Sequence, residues 1–361
     1  MKIKLFFFVP SLEYGGAGNA TINFLKNLNK NKFELNLFYQ GKNKYKKYLP
    51  NHVNLYKLEK KKTFLNFFSI QKIIKKKISN NGKNVFISNI HFANILSIVF
   101  LRNIPNLKIV LFERTSLEEL NISSFKKSFK NMVIKFLICK LYNSSDLVLT
   151  NSKNTSKELK KLNINSKIVY SGLIPKILPN KKNSKRSIYN LIAVGRLELQ
   201  KDYITLLKAI NNLKKNNFKL FIYGEGNQKT EIYNFINSNN LNHKVVMQGH
   251  EQNKKKIYSK ADLLIVPSIF EGLPNCIVEA LNYNVPVIAS NIGGNKEILS
   301  NTKYGDVFQL KNDKELASKI NRFLENPMNL YKKVNKNKNF IKKFLIKNSA
   351  KNLEKKIFNL F

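Results

Sequence analysis

The sequence predicts an α/β protein built as two doubly wound parallel-sheet domains. Three observations lead there. Short apolar runs alternate with amphipathic segments along nearly the whole chain, the pattern of parallel strands joined by crossover helices. The alternation is interrupted at Pro175–Ser187, where two prolines and five basic residues occur without periodicity. A chain of 361 residues is also long enough for two separate cores.

Taken in order, the first strands are expected at Ile3–Val9, Phe33–Tyr39, Val85–Ile87, Lys108–Phe112, Leu147–Leu149 and Ile168–Tyr170. They are rich in Ile, Leu, Val and Phe, as strands covered on both faces are. The apolar run Leu5–Val9 is too short for the core of a signal peptide, and Pro10 ends it. Gly15-Gly16-Ala17-Gly18 follows that strand and opens a helix over 20–28, so backbone amides there can approach a phosphate closely. The spacing is not GxGxxG, the chain holds no Walker motif, and a tight turn would use the same glycines. His91 lies between a strand and a helix, where a structural histidine is also common. The stretch 64–78 is amphipathic with a Lys-rich flank, a pattern that fits packing on a sheet or lying on an anionic bilayer.

The second set of strands is expected at Tyr189–Val194, Phe218–Tyr223, Lys244–Gln248, Asp262–Val266, Val285–Ala289 and Gly305–Phe308. The resulting division is a first domain over 1–172, a linker over 173–187, a second domain over 188–335 and a helical tail over 336–361. Apolar positions Phe340, Phe344, Ile346, Leu353 and Ile357 give the tail its helical spacing. Gly224-Glu225-Gly226 ends one strand and reads as a turn.

Within the second domain, the strand Asp262–Val266 runs into Phe270-Glu271-Gly272-Leu273-Pro274-Asn275-Cys276-Ile277-Val278-Glu279, a strand, loop and helix in sequence. Four residues apart, Asn275 and Glu279 share one helix face. Free amides at the helix start suit a phosphate, and a carboxylate one turn deeper suits the vicinal hydroxyls of a ribose. Arg196 and Lys201 straddle another strand-to-helix loop, so both can reach one point. A diphosphate leaving group gathers charge in the transition state, and fixed cations stabilise it.

Ala193-Val194-Gly195-Arg196-Leu197-Glu198-Leu199-Gln200-Lys201-Asp202, the Phe270–Glu279 stretch and Ile292-Gly293-Gly294-Asn295-Lys296-Glu297 follow one another in an order that resembles the C-terminal domain of the retaining glycosyltransferases of family 4. The resemblance implies the GT-B fold, two Rossmann-like domains facing a cleft with a C-terminal helix crossing back to the first. It implies retaining transfer from a nucleotide-diphosphate sugar, by default a UDP-hexose or UDP-N-acetylhexosamine, to a glycan acceptor; the amphipathic stretch 64–78, the absence of a membrane span and the positive charge make that acceptor a lipid-linked one in surface polysaccharide or glycan biosynthesis. It sets Glu279 on the ribose, with Gly272, Leu273 and Asn275 at the helix start, Arg196 and Lys201 on the diphosphate and Glu271 on the sugar. Gly15 and Gly16 fall against the diphosphate, His91 beside the transferred sugar, His250 in the base pocket, and Glu113-Arg114-Thr115 on the acceptor side. No protein nucleophile is assigned. The absence of an Asp-x-Asp pattern implies a mechanism without metal, and no cofactor is expected. GT-B architecture also hosts sugar-nucleotide epimerases and phosphorylases, which keep the fold and change the reaction.

Composition bounds the partners. The chain carries 64 Lys and Arg against 22 Asp and Glu, a formal charge of +42. Nucleic acid would be the first thought. The excess is spread evenly, +23 over residues 1–172 and +19 over 173–361, and no basic cluster is interleaved with stacking aromatics. No nucleic-acid partner is expected; an anionic membrane surface is compatible. Cys139 and Cys276 are too few and too far apart for a disulfide framework, which points to a reducing cytosol. No apolar segment reaches the length of a membrane span. The expected place is the cytoplasm, or the inner face of the cytoplasmic membrane as a peripheral protein.

Overall fold

The computed structural model describes residues 2–12, 15–79, 81–121, 125–180, 185–213, 215 and 217–361. Residues 181–184 of the expected linker lie outside this set. The chain forms two compact units, one of Met1–Pro175 with Lys343–Phe361 and one of Lys176–Lys342.

The first unit runs β1 (Ile3–Val9), α1 (Gly16–Asn27), β2 (Phe33–Gln40), β3 (Val53–Leu58), α2 (Thr63–Lys77), β4 (Asn84–Asn89), α3 (His91–Leu101), β5 (Leu107–Glu113), α4 (Phe125–Leu141), β6 (Leu147–Thr150), α5 (Lys153–Lys160) and β7 (Lys167–Ile168). All its strands are parallel, in the order β3-β2-β1-β4-β5-β6-β7. Side chains alternate across the sheet. Phe6, Phe8, Phe86, Ile109 and Leu111 face a layer that includes α2, α3 and α4, whereas Leu5, Phe7, Val85, Ile87 and Val110 face α1 and the chain's last helix.

Strand β3 is absent from the sequence-based expectation. It is an edge strand in which only Val53 and Leu58 are buried, so it shows neither an apolar run nor a clean alternation. The first helix begins at Gly16 rather than residue 20, and the last strand is two residues long and ends at Ile168 rather than Tyr170.

The second unit runs β8 (Tyr189–Val194), α6 (Tyr203–Asn211), β9 (Phe218–Tyr223), α7 (Lys229–Ser238), β10 (Val245–Gly249), α8 (Lys254–Tyr258), β11 (Leu263–Val266), α9 (Asn275–Asn282), β12 (Val287–Ser290), α10 (Gly293–Leu299), β13 (Asp306–Phe308), α11 (Asp313–Glu325), α12 (Met328–Val334) and α13 (Lys338–Ile341). Its sheet is again all parallel, β10-β9-β8-β11-β12-β13. Helix α14 (Ile346–Phe358) belongs to the first unit. Its Ala350, Leu353 and Ile357 join the core beneath α1, and the Phe358 ring packs 5.4 Å from that of Phe33. No helix among the described residues is long and apolar enough to cross a membrane.

Candidate functional site

Each sheet has a point where its winding reverses. In the second unit the chain moves outward from β8 to β9 and β10, then returns to lay β11 on the other side of β8. Loops leaving the carboxyl ends of β8 and β11 therefore diverge over a crevice, where open α/β sheets take ligands. The first loop carries Arg196 and Lys201, the second Glu271. Two bonds bind the loops together: Gln200 Nε2 donates to Phe270 O at 2.8 Å, and Ile269 N donates to Gln200 O at 2.8 Å.

Lys201 and Glu271 form a buried ion pair, the ammonium meeting Oε1, and Ser268 Oγ donates to that same oxygen at 2.8 Å. Burial disfavours the Lys201 charge, but the Glu271 carboxylate outweighs it and holds the lysine above its ordinary pKa, with Arg196 opposing. Arg196 itself is exposed, and its guanidinium has no hydrogen bond or ion pair among the described residues. The loop thus presents one cation tied to a carboxylate and one free. Cys276, the second residue of α9, is buried beside this pair; burial pushes its thiol up to about 12, so it is an inert packing group.

Glu279 is 5 % exposed on α9. Its Oε2 accepts from Tyr258 Oη at 2.8 Å and pairs with Lys254 Nζ at 3.0 Å, and the Tyr258 ring stacks on Tyr283 with centroids 5.5 Å apart. Its Oε1 is left without a hydrogen-bond partner among the described residues. Gly272 and Leu273 are buried in the loop before α9 and Asn275 is half-buried as the first helical residue, with Pro274 at the N-cap. Gly294 crosses the Glu271 backbone so closely that a Cβ would sit 2.5 Å from Glu271 O.

The Gly224-Glu225-Gly226 sequence does more than turn the chain. A Cβ on Gly224 would lie 1.8 Å from Gly195 O, and one on Gly226 would lie 2.4 Å from Leu197 O. These glycines let the end of β9 press against the loop that carries Arg196. His250 follows β10 at the same edge of the sheet and is exposed.

In the first unit the winding reverses between β1 and β4, and the loops there carry Gly15-Gly16 and His91. Gly15 and Gly16 are exposed at the start of α1. His91 begins α3, directly after Ile90, whose φ of 67° is a strained conformation for a β-branched residue. Its Nδ1 is buried without a hydrogen bond among the described residues, 4.0 Å from Glu113 Oε1. Glu113 is fully buried, and burial pushes its carboxyl up despite His91 and the donors around it. Tyr142 Oη donates to its Oε2 at 2.7 Å, and the Arg114 and Thr115 amides donate to its Oε1. Arg114 turns elsewhere: its Nε donates to Asn89 Oδ1 at 2.7 Å, and its guanidinium lies 3.9 Å over the Phe112 ring. From Arg114 the Glu113 carboxylate takes only the backbone amide, and the two side chains do not pair with one another.

Spacing in the sequence could not have revealed Tyr258, Lys254 or Ser268 as partners of the glutamates. Tyr258 is 21 residues from Glu279 on a different helix, and only the sheet brings the two together.

Residues 176–341 match the family described as Glycosyl transferases group 1. A Campylobacter jejuni enzyme named N-acetylgalactosamine-N,N'-diacetylbacillosaminyl-diphospho-undecaprenol 4-alpha-N-acetylgalactosaminyltransferase is 29% identical over 57% of this chain and 58% of its own length. A second from that organism, GalNAc-alpha-(1->4)-GalNAc-alpha-(1->3)-diNAcBac-PP-undecaprenol alpha-1,4-N-acetyl-D-galactosaminyltransferase, is 27% identical over 88% of both chains. The chain spans about half the length of several curated relatives that it matches, from 44% to 58% for three of them. Among solved structures, Anabaena Alr3699/HepE in complex with UDP and glucose superposes with a TM-score of 0.81 at 16% identity, covering 99% of each chain. That likeness shows the fold, and the fold is GT-B, as the sequence led us to expect.

Proposed function

We propose that this chain, whose residues 176–341 match the family described as Glycosyl transferases group 1, is a glycosyltransferase that moves a sugar from a nucleotide-diphosphate donor to a lipid-linked glycan acceptor in surface polysaccharide or glycan assembly. One observation carries the reading. At the winding reversal of the second sheet, the free Arg196, the Lys201–Glu271 pair and the half-occupied Glu279 carboxylate stand on adjoining loops and one helix. Glu279 Oε1 is the acceptor we assign to the ribose hydroxyls, and Arg196 with Lys201 the cations for the diphosphate. Glu271 keeps Lys201 charged and is the carboxylate we assign to the donor sugar.

In the reaction the bond between the anomeric carbon and the diphosphate oxygen breaks, the electron pair leaves with the diphosphate, and an acceptor hydroxyl oxygen forms the new bond while its proton passes to the departing diphosphate oxygen. Cations fixed beforehand stabilise the departing charge without rearranging, and we infer that they serve in place of a metal. Attack from the face that the leaving group vacates would retain the anomeric configuration; we assign no protein nucleophile. His91 is assigned to the transferred sugar, Gly15-Gly16 to the diphosphate and His250 to the base, on the family resemblance. Two Campylobacter jejuni relatives named for acceptors on diphospho-undecaprenol support the lipid-linked acceptor. A UDP-sugar is the donor we favour, and the place of action we infer is the cytoplasmic face of a membrane. The test is a panel of UDP- and GDP-sugars, scored for nucleoside diphosphate release and for the anomer formed. A folded protein that neither binds nor turns over any of them would overturn the proposal.

A further inference from the structure

Helix α4 is apolar on two opposite sides. Ile134 and Ile138 are buried against the sheet layer. Phe129, Met132, Val133 and Phe136 recur at positions i, i+3, i+4 and i+7, so they form one stripe on the reverse side, and they are 39% to 70% exposed. A surface helix ordinarily turns a polar face outward. By helical geometry Lys130 and Lys135 flank the stripe on its two sides and Lys140 prolongs it.

The neighbours continue this surface. Helix α2 packs beside α3, and α3 beside α4, on the same side of the sheet. Phe64 and Phe68 of α2 stand half exposed against the Phe100 ring, at 5.2 and 4.9 Å between centroids, and Val99 of α3 is 60% exposed. None of the three helices contains an Asp or Glu, while α2 ends in Lys75, Lys76 and Lys77. The turn Leu117–Asn121 that packs against α4 carries Glu118 and Glu119 and accepts a hydrogen bond from Lys135 at Asn121 Oδ1, but the three helices themselves present only cations beside the apolar stripe, which complements an anionic, partly apolar surface. A second copy of the same face would meet it with like charge.

We propose that the outer face of α4, continued by α2, docks this chain on anionic lipid bilayers. Phe129, Met132 and Phe136 enter the boundary between headgroups and acyl chains, and the lysines meet the lipid phosphates. This deepens the transfer reading above and rests on it only for the purpose of docking, since a lipid-linked acceptor is confined to that surface.

The experiment is co-sedimentation of the full chain with phosphatidylcholine vesicles and with phosphatidylcholine vesicles containing phosphatidylglycerol. Wild type is expected to pellet with the anionic vesicles and to be released by salt. The double variant Phe129→Gln with Phe136→Gln should partition about a hundredfold more weakly, because two large apolar side chains no longer leave water. Its melting and its hydrolysis of free donor should be unchanged, because both positions are solvent-facing. Tyr233→Gln, a similarly exposed ring on α7, should pellet like wild type. Wild type that stays in the supernatant, or a double variant that pellets equally, would overturn the proposal. So would a concentration-dependent dimer that the same two substitutions dissociate, since the face would then belong to a second copy. If the transfer reading fails, donor turnover is lost while sedimentation persists, which keeps the two failures apart.

Discussion

Replacing Glu271 by Gln removes one half of a buried ion pair and leaves the other half in place. The Lys201 and Glu271 side chains are 16% and 8% exposed, so little water is available to take over from the lost carboxylate. Two unit charges about 4 Å apart attract by about 4 kcal/mol at an effective dielectric constant near 20, and desolvation of both offsets much of this. Breaking such a pair from one side typically costs about 3–5 kcal/mol, because the remaining charge stays buried. At about 3 kcal/mol, a domain of this size loses roughly 6–12 °C in Tm. Adding Lys201→Met to Glu271→Gln removes the orphaned ammonium and should restore most of the loss.

The pH dependence supplies a second, independent sign. In the wild type, Lys201 is held above its ordinary pKa by Glu271, so the folded chain binds its proton more tightly than the unfolded one. That contribution is fully present below the unfolded lysine value of about 10.4 and is lost as pH rises through the folded value. In Glu271→Gln the carboxylate is gone while burial and Arg196 still disfavour the charged lysine, so its pKa should fall below the unfolded value and stability should rise with pH up to about 10.4. Calorimetric melting of wild type, Glu271→Gln and the double variant from about pH 8 to about pH 12, a range that passes the unfolded lysine value, reads both effects. A single variant that melts like wild type, or whose Tm falls with pH as the wild type's does, would refute the reasoning.

Arg196→Ala should lower kcat about a hundredfold with little change in melting, because the guanidinium is exposed and has no hydrogen bond or ion pair among the described residues; steady-state kinetics with the donor identified by the panel checks this, and unchanged turnover removes Arg196 from the diphosphate. Glu279→Gln should raise donor KM by about tenfold or more while kcat falls less, since a hydrogen bond to a charged group is worth about 1.5–3 kcal/mol. Gly224→Ala should destabilise the second unit by at least about 3 kcal/mol, because its Cβ has no place beside Gly195 O; a wild-type melting profile would contradict that. EDTA should leave turnover unchanged, and activity lost to EDTA and restored by Mg2+ or Mn2+ would remove the metal-free mechanism.

The fold class was legible because it is written in local periodicity: both sheets are made of runs such as Phe6-Phe7-Phe8 and Leu263-Leu264-Ile265-Val266, buried on both faces. Strand β3 escaped because an edge position demands little apolar surface, so its sequence carries little signal. The placement of the candidate site residues was also readable, as Arg196, Lys201 and Glu271 follow strand ends and Glu279 lies on the helix after the second loop. Their partners were not. Glu271 and Lys201 are 70 residues apart, and no spacing rule says that a loop glutamate is buried against that lysine and not dissolved in water. The same limit governs α4. Its sequence offers apolar residues on two sides, and local periodicity cannot choose which side the sheet covers. The packing of Ile134 and Ile138 made that choice, and in doing so turned Phe129, Met132 and Phe136 to the solvent.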